Sequence, residues 1–217
     1  MKYPLTVIFA SLSLFIFATV NHFGKLPAAT LTNYGFSASA PWNEWFYRTI
    51  TSDWIYSNPF HFWTCVIPII FFLIWAERTH SIRFLICFLL AVSFLDDFVD
   101  FFLIQKPFQF MQPDLFLVMS KQKDVGGSLI LSSLIGLQFC QITKNREILF
   151  VLISMLTVLT TVFFTANYIP LVLNINHYVL LSLGYIVGKL EYNKIGYSSE
   201  ELETSGTTKA LLPRARK

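Results

Sequence analysis

Six long apolar runs, nearly free of charge, decide what this chain can fold into. They cover residues 3–20, 60–76, 83–103, 125–142, 148–166 and 171–190. The third is fully apolar only to about Leu95 and then turns polar. A helix needs about 20 apolar residues to cross a bilayer, within a range of about 17–25. Inside hydrocarbon the backbone must bond to itself, and a helix does that within one segment. Strands of a membrane barrel would alternate in and out with period two, and these runs do not. Charged residues make up 13% of the chain, against about 25% in a soluble domain. The expectation is an all-α, polytopic membrane protein with one six-helix domain over residues 1–190. A cytoplasmic polar tail over 191–217, rich in Ser, Thr, Glu and Lys, is expected to be disordered.

Charge placement gives an orientation, because lysine and arginine collect on the cytoplasmic side. With the N-terminus inside, the inner segments hold Lys2, Arg78, Arg83, Lys144 and Arg146. The tail adds Lys189, Lys194, Lys209, Arg214, Arg216 and Lys217. The outer segments hold only Lys25, Arg48, Lys106, Lys121 and Lys123. Both termini are therefore expected in the cytoplasm, and the membrane is expected to be the inner (plasma) membrane of a bacterium. The tripeptide Ala38-Ser39-Ala40 lies too far beyond the first apolar run to serve as a signal-peptidase site.

The net charge of +3 comes from scattered residues, which gives no footprint for nucleic acid. Cys65, Cys87 and Cys140 all sit in apolar runs without a CxxC pair. They are expected to be small buried residues rather than metal ligands or a disulfide framework. No metal and no cofactor is implied. The outer loop 21–59 carries Trp42, Trp45, Phe46, Tyr47 and Trp54, rings that favour the headgroup level of the lipid bilayer. The outer loop 105–124 contains Pro107 and Pro113 and reads as irregular.

In such a chain, polar residues at membrane depth carry the information. Ser128 follows Gly126-Gly127 about three residues into the fourth run, and His177 lies about six residues into the sixth. Both are within about 10 Å of the outer boundary at 1.5 Å per residue. His61 starts the second run at the same side. Ser128, Ser132 and Gly136 share one helical face, as do His177, Gly184 and Gly188. Small residues at this spacing let helices approach closely in lipid. If the two faces meet, the serine gains the neighbouring base that its hydroxyl needs to become a nucleophile. Taken singly, such a serine usually bonds back to its own helix turn.

These residues, in this order, resemble the rhomboid family of intramembrane serine proteases. That family carries a Gly-x-Ser-Gly motif opening its fourth helix, here Gly126-Gly127-Ser128-Leu129. Its sixth helix holds a histidine followed by spaced glycines, here His177, Gly184 and Gly188. Upstream, Tyr47-Arg48 stands where the family has Trp-Arg, His61 follows thirteen residues later, and Glu77-Arg78 closes the second helix. The resemblance spans about residues 46–190. It implies a rhomboid-like bundle, Ser128 as nucleophile, His177 as general base, and His61 with the Ser128 backbone N–H as oxyanion donors. It implies structural roles for Arg48, Glu77, Arg78, Gly126, Gly127, Gly136, Gly184 and Gly188. Its substrates would be transmembrane or membrane-anchored proteins, cut near the extracytoplasmic face.

Two positions depart from the pattern. Leu129 replaces the glycine after the serine, and Cys65 replaces an asparagine that helps hold the oxyanion. Alternatives therefore stay open. One is a catalytically inactive relative that binds transmembrane helices. A second is a membrane lipid phosphatase, against which the lack of a histidine after Ser128 counts. The third is a transporter using Asp96, Asp97 and Asp100, unless the third helix ends near Leu95 and leaves these acids in a solvated loop.

Overall fold

A computed structural model describes residues 2–121, 125–139 and 168–204, with the side chains of 96, 100, 103, 104, 168–174 and 194–204 excepted. The expected fifth span at 148–166, the end of the fourth at 140–142, Cys140 and the tail beyond 204 lie outside the described residues. So do the side chains of Asp96 and Asp100.

Every extended element among the described residues is helical. In chain order these are α1 (Pro4–Val20), α2 (Ala28–Tyr34), α3 (Trp42–Ser52), α4 (Pro59–Thr79) and α5 (Ile82–Phe98). A π-helical turn (Val99–Gln105) follows, then α6 (Lys106–Met111), α7 (Pro113–Ser120), α8 (Ser128–Phe139) and α9 (Tyr168–Thr204). Only α4 is both long and apolar enough to cross a membrane among the described residues. Pro4–Val20, Ile82–Leu95 and Ser128–Phe139 are apolar but shorter.

Local chemistry explains the ends. Asn58 caps α4 by accepting the His61 N–H at 2.9 Å, and Pro59 takes the first helical position, where its missing donor costs nothing. α1 has no cap from its own residues. Instead the Glu77 carboxylate, at the far end of α4, accepts the N–H of Leu5 at 2.9 Å and of Thr6 at 3.1 Å. It also accepts the Thr6 hydroxyl at 2.5 Å. A carboxylate at a helix N-terminus satisfies orphan donors and meets the positive end of the helix dipole. Next to it, Arg78 donates to the Tyr3 hydroxyl at 2.9 Å and lies over the Tyr3 ring. The Glu77-Arg78 pair thus clamps α1 against α4. Phe17 stacks on Phe62 at 4.0 Å at the other end of the same helix pair.

The larger apolar core among the described residues joins α1, α4, α5, α8 and α9 through residues such as Phe17, Ile69, Leu73, Leu85, Leu134 and Leu180, and a smaller one pairs Val99 with Met119.

Three sequence expectations change, and one open alternative closes. The third helix, expected over 83–103, does not stop near Leu95. It continues to Phe98 and passes into the π turn, where the Lys106 N–H reaches the Phe101 carbonyl. Asp97 is therefore buried within the helix rather than solvated in a loop. The loop 105–124 is not irregular over 106–120, because Pro107 and Pro113 sit in the first turns of α6 and α7, where proline is tolerated. The last helix runs past residue 190 to Thr204, since Glu and Lys favour helix and no proline intervenes before Pro213. That extension starts against the end of α4, where burial lowers the pKa of His80 and the nearby Glu191 partly opposes it. Cys65 is buried as expected, but Cys87 is exposed on α5.

Replacing Glu77 by alanine should destabilise the fold by about 1–3 kcal/mol, the loss of a cap made by a charged acceptor. Thermal unfolding in detergent reads this. Glu77→Gln should lose less, and an unshifted midpoint in Glu77→Ala would mean that α1 is held in some other way.

Candidate active site

The site is built where α8 begins. Gly126 has φ +102°, a left-handed conformation that suits glycine. Its N–H donates to the Ser52 carbonyl at 2.8 Å, which ties the turn to the end of α3. A Cβ at Gly126 would lie 2.5 Å from His61 Cε1 and 2.7 Å from Nε2. The imidazole edge therefore rests directly on this backbone. A Cβ at Gly127 would crowd Ile69 Cδ1 at 3.1 Å, and would stand 3.5 Å from both the Asp53 carbonyl and the Tyr56 hydroxyl. The two glycines do different work. The first allows the turn and the ring contact, and the second lets the turn settle onto the core.

Ser128 is the first residue of α8. N–H groups in the first turn of a helix have no intrahelical acceptor and point at whatever lies beyond its end. Together with the helix dipole, they favour negative charge there. Leu129 is 2% exposed and packs in the core. Its bulk is therefore taken up by the bundle.

His177 Nε2 lies 2.9 Å from Ser128 Oγ. The reason is visible further down the same helices. A Cβ on Gly136 would overlap the Leu181 carbonyl oxygen and sit 2.8 Å from Tyr185 N. One on Gly184 would overlap the Ser133 carbonyl oxygen and sit 3.1 Å from Leu137 N. α8 and α9 thus touch backbone to backbone. Gly184 faces the stretch between Ser133 and Leu137, and His177 faces Ser128, so both contacts keep nearly the same offset along the chain. From Gly136 up to Ser128 is a rise of about 12 Å, and from Gly184 up to His177 about 10.5 Å. The glycine contact fixes the spacing that the side chains above it use. Gly188, one turn below Gly184, is buried.

His61 is held from its other side. The Ser57 backbone N–H approaches His61 Nδ1 at 3.4 Å and the Ser57 hydroxyl at 3.0 Å. A backbone N–H can only donate, so Nδ1 is the acceptor and the ring proton of the neutral form sits on Nε2. That N–H is on the edge facing Gly126. Tyr56 is fully buried beneath the turn, with its ring edge-on to His61 at 5.7 Å. Burial pushes its phenol well above the usual value, so it stays neutral. Cys65, one turn into α4 from His61, is buried.

The other residues expected to matter are arranged as supports. Arg48 is buried. It pairs with Glu44 at 2.6 Å and donates to the carbonyls of Thr32 at 2.7 Å and Gly35 at 2.9 Å. It locks α3 to α2, and α3 ends at the Ser52 carbonyl that holds Gly126. Glu77 and Arg78 lie about 24 Å along α4 from His61 and do not reach the site. Sequence reasoning missed Ser52, Ser57, Tyr56 and Asn58. The Asn-Pro pair before His61 was the readable signal for the cap. Nothing in the sequence marks a carbonyl such as that of Ser52. Among the described residues, no three His, Cys, Asp or Glu side chains gather as a metal site.

The family profile described as the Rhomboid domain matches residues 43–191. No curated protein and no solved structure matches the chain.

Gly136→Val should force α8 and α9 apart. An overpacked contact costs about 1–3 kcal/mol, readable as a lowered unfolding midpoint in detergent. A midpoint equal to that of the parent protein would contradict the backbone contact.

Proposed function

The chain belongs to the rhomboid family, and from that premise we propose that it is an intramembrane serine protease working with a Ser128–His177 dyad. Members of the family are integral membrane proteins, generally serine proteases acting on membrane proteins. The observation that carries the assignment is the 2.9 Å separation of Ser128 Oγ and His177 Nε2. An imidazole nitrogen at that distance can accept the hydroxyl proton as the oxygen attacks.

The steps follow from the geometry. Ser128 Oγ bonds to the carbonyl carbon of the scissile peptide while His177 Nε2 takes its proton. The carbonyl electrons move to oxygen, and this oxyanion meets the Ser128 N–H and the His61 Nε2–H. Collapse expels the amine, which takes its proton from His177, and leaves an acyl-enzyme on Ser128. Water, deprotonated by the same imidazole, releases the acid product and restores the serine. No acidic third member is invoked. The role of an aspartate in holding the ring falls here to the close packing of α8 and α9.

The reading includes six spans, both termini in the cytoplasm, and a site near the extracytoplasmic face of a bacterial inner membrane. Its substrates are membrane-anchored proteins whose helix unwinds close to that face. An inactive relative that binds transmembrane helices is the second reading. It is favoured by Cys65, because a buried thiol is a weak donor where the family has an amide. The burial of Leu129 in the core counts against it, since that departure does not cover the serine.

A fluorophosphonate probe tests the dyad. The purified protein should be labelled, and Ser128→Ala and His177→Ala should lose the label. His61→Ala should slow cleavage of a co-reconstituted single-span protein by about 10²–10³, the usual effect of losing one oxyanion donor. Labelling that persists in Ser128→Ala would remove Ser128 from the mechanism. A parent protein that takes no label while folded would favour the inactive relative.

A further inference from the structure

The chemistry proposed above draws on α4, α8 and α9, yet what fixes His61 is held from α1. Residues 52–58 form a strap between α3 and α4, with the Ser52 carbonyl on Gly126 at one end and Ser57 on His61 at the other. α1 ends beside this strap at Asn21, which is 2% exposed. The Asn21 side chain meets the Tyr56 carbonyl at 2.6 Å. A carbonyl can only accept, so the amide NH2 is the donor. Further on, the buried Leu26 donates its N–H to the Ser57 carbonyl at 3.0 Å. The turn that leaves α1 therefore holds two successive carbonyls of the strap.

That turn is bent sharply. His22 and Phe23 have φ of 49° and 58°, the left-handed region where a helix end usually places a glycine. Such backbone persists only where neighbouring contacts over-determine it. Here the N–H groups of Asn21 and Phe23 reach the Phe17 carbonyl at 3.2 and 3.4 Å, and the Gly24 N–H reaches the Asn21 carbonyl at 2.8 Å. The Phe23 ring lies edge-on to Phe17 at 5.8 Å.

One peptide group carries the hold across to the imidazole. The Tyr56 carbonyl and the Ser57 N–H belong to the same planar unit. Fixing the oxygen of that plane through Asn21 fixes the direction of the N–H at its other edge, which approaches His61 Nδ1 at 3.4 Å. A bond accepted at the oxygen also polarises the N–H and strengthens it as a donor. The Ser57 hydroxyl, 3.0 Å from the same Nδ1, accepts from Asn58 Nδ2 at 3.2 Å, which leaves its proton for the ring. The Tyr56 ring is edge-on to both His61 and Phe62, at 5.7 and 5.1 Å, and so seats the same residue from below.

We propose that Asn21 is a positioning residue for the oxyanion site. Through the Tyr56–Ser57 peptide it holds His61 in the tautomer and orientation that present Nε2–H. The effect on turnover rests on the protease reading; the hold on the ring does not.

Nitrogen-15 NMR of the full chain, labelled at histidine and held in detergent at about pH 8, where a free imidazole is neutral, tests the hold. Signals lost in His61→Ala identify that ring. The parent should show His61 with Nδ1 unprotonated and Nε2 protonated. Asn21→Asp keeps the shape but is ionised at that pH and cannot donate. Asn21→Ala removes the group, covering the case where the carboxylate prevents folding. Each should show His61 as a mixture of both tautomers. A His61 spectrum unchanged from the parent in the folded variants overturns the proposal. For turnover, kcat on a co-reconstituted single-span protein should fall about tenfold with KM unchanged, part of the loss expected from removing an oxyanion donor outright. In a His61→Ala background the same change should cost nothing more, because the group it positions is gone. Equal losses in both backgrounds would mean a general structural effect and overturn the positioning role. A His61 spectrum that responds to Asn21 in a protein whose parent form neither cleaves nor takes the fluorophosphonate would keep the hold on the ring and sink the serine chemistry, so the two failures are separable.

Discussion

Everything at the site depends on the backbone contact between α8 and α9. In lipid, apolar side chains gain little by leaving their surroundings, so helices associate through close packing. Gly136 and Gly184 let the carbonyls of Leu181 and Ser133 come to the positions a side chain would otherwise fill. Once that contact is made, the parallel helices carry its register upward, and Ser128 meets His177. That contact sets the frame in which the imidazole of His177 faces the Ser128 hydroxyl. The same contact sets the first turn of α8, whose leading N–H groups have no intrahelical acceptor, beside His177.

A second frame comes from the segment ahead of α4. Arg48 joins α3 to α2, α3 ends at the carbonyl that holds Gly126, and Ser57 fixes the ring of His61 against that glycine. The turn before Ser128 is thus gripped from two sides, by helix packing below and by hydrogen bonds from the loop above. The clamp of Glu77 on α1 lies at the opposite end of α4 and keeps the core partners of Phe62 in place. Long-range polar contacts, rather than helix propensity, therefore decide how α1 and α3 stand around the bundle.

What the sequence made legible was the pairing of Ser128 with His177. Their meeting could be anticipated because helical rise is regular and small-residue faces are easy to read. The same logic could not see where helices end. Pro107 and Pro113 read as breakers, yet in a first helical turn they cost little. For Asp97 the sequence left open both a helix and a solvated loop, and the helix carries it inward before the π turn. The residues after 190 are mostly polar, and the helix continues through them to Thr204. Backbone acceptors such as the Ser52 carbonyl leave no mark on side-chain identity, so the strap on Gly126 was invisible. Glu77 and Arg48 were singled out through family resemblance, while the work they do, capping one helix and locking another, needed coordinates.

Of the two departures from the family pattern, the burial of Leu129 disposes of one. With Cys65 where the family has asparagine, the proposed oxyanion donors are His61 and the Ser128 N–H. A crystal structure of the protein inactivated by a fluorophosphonate would test this arrangement most directly. The account predicts phosphorus bonded to Ser128 Oγ, with its oxygen within hydrogen-bond distance of both the Ser128 N–H and His61 Nε2. Phosphorus on another residue, or an oxygen turned away from both donors, would contradict it.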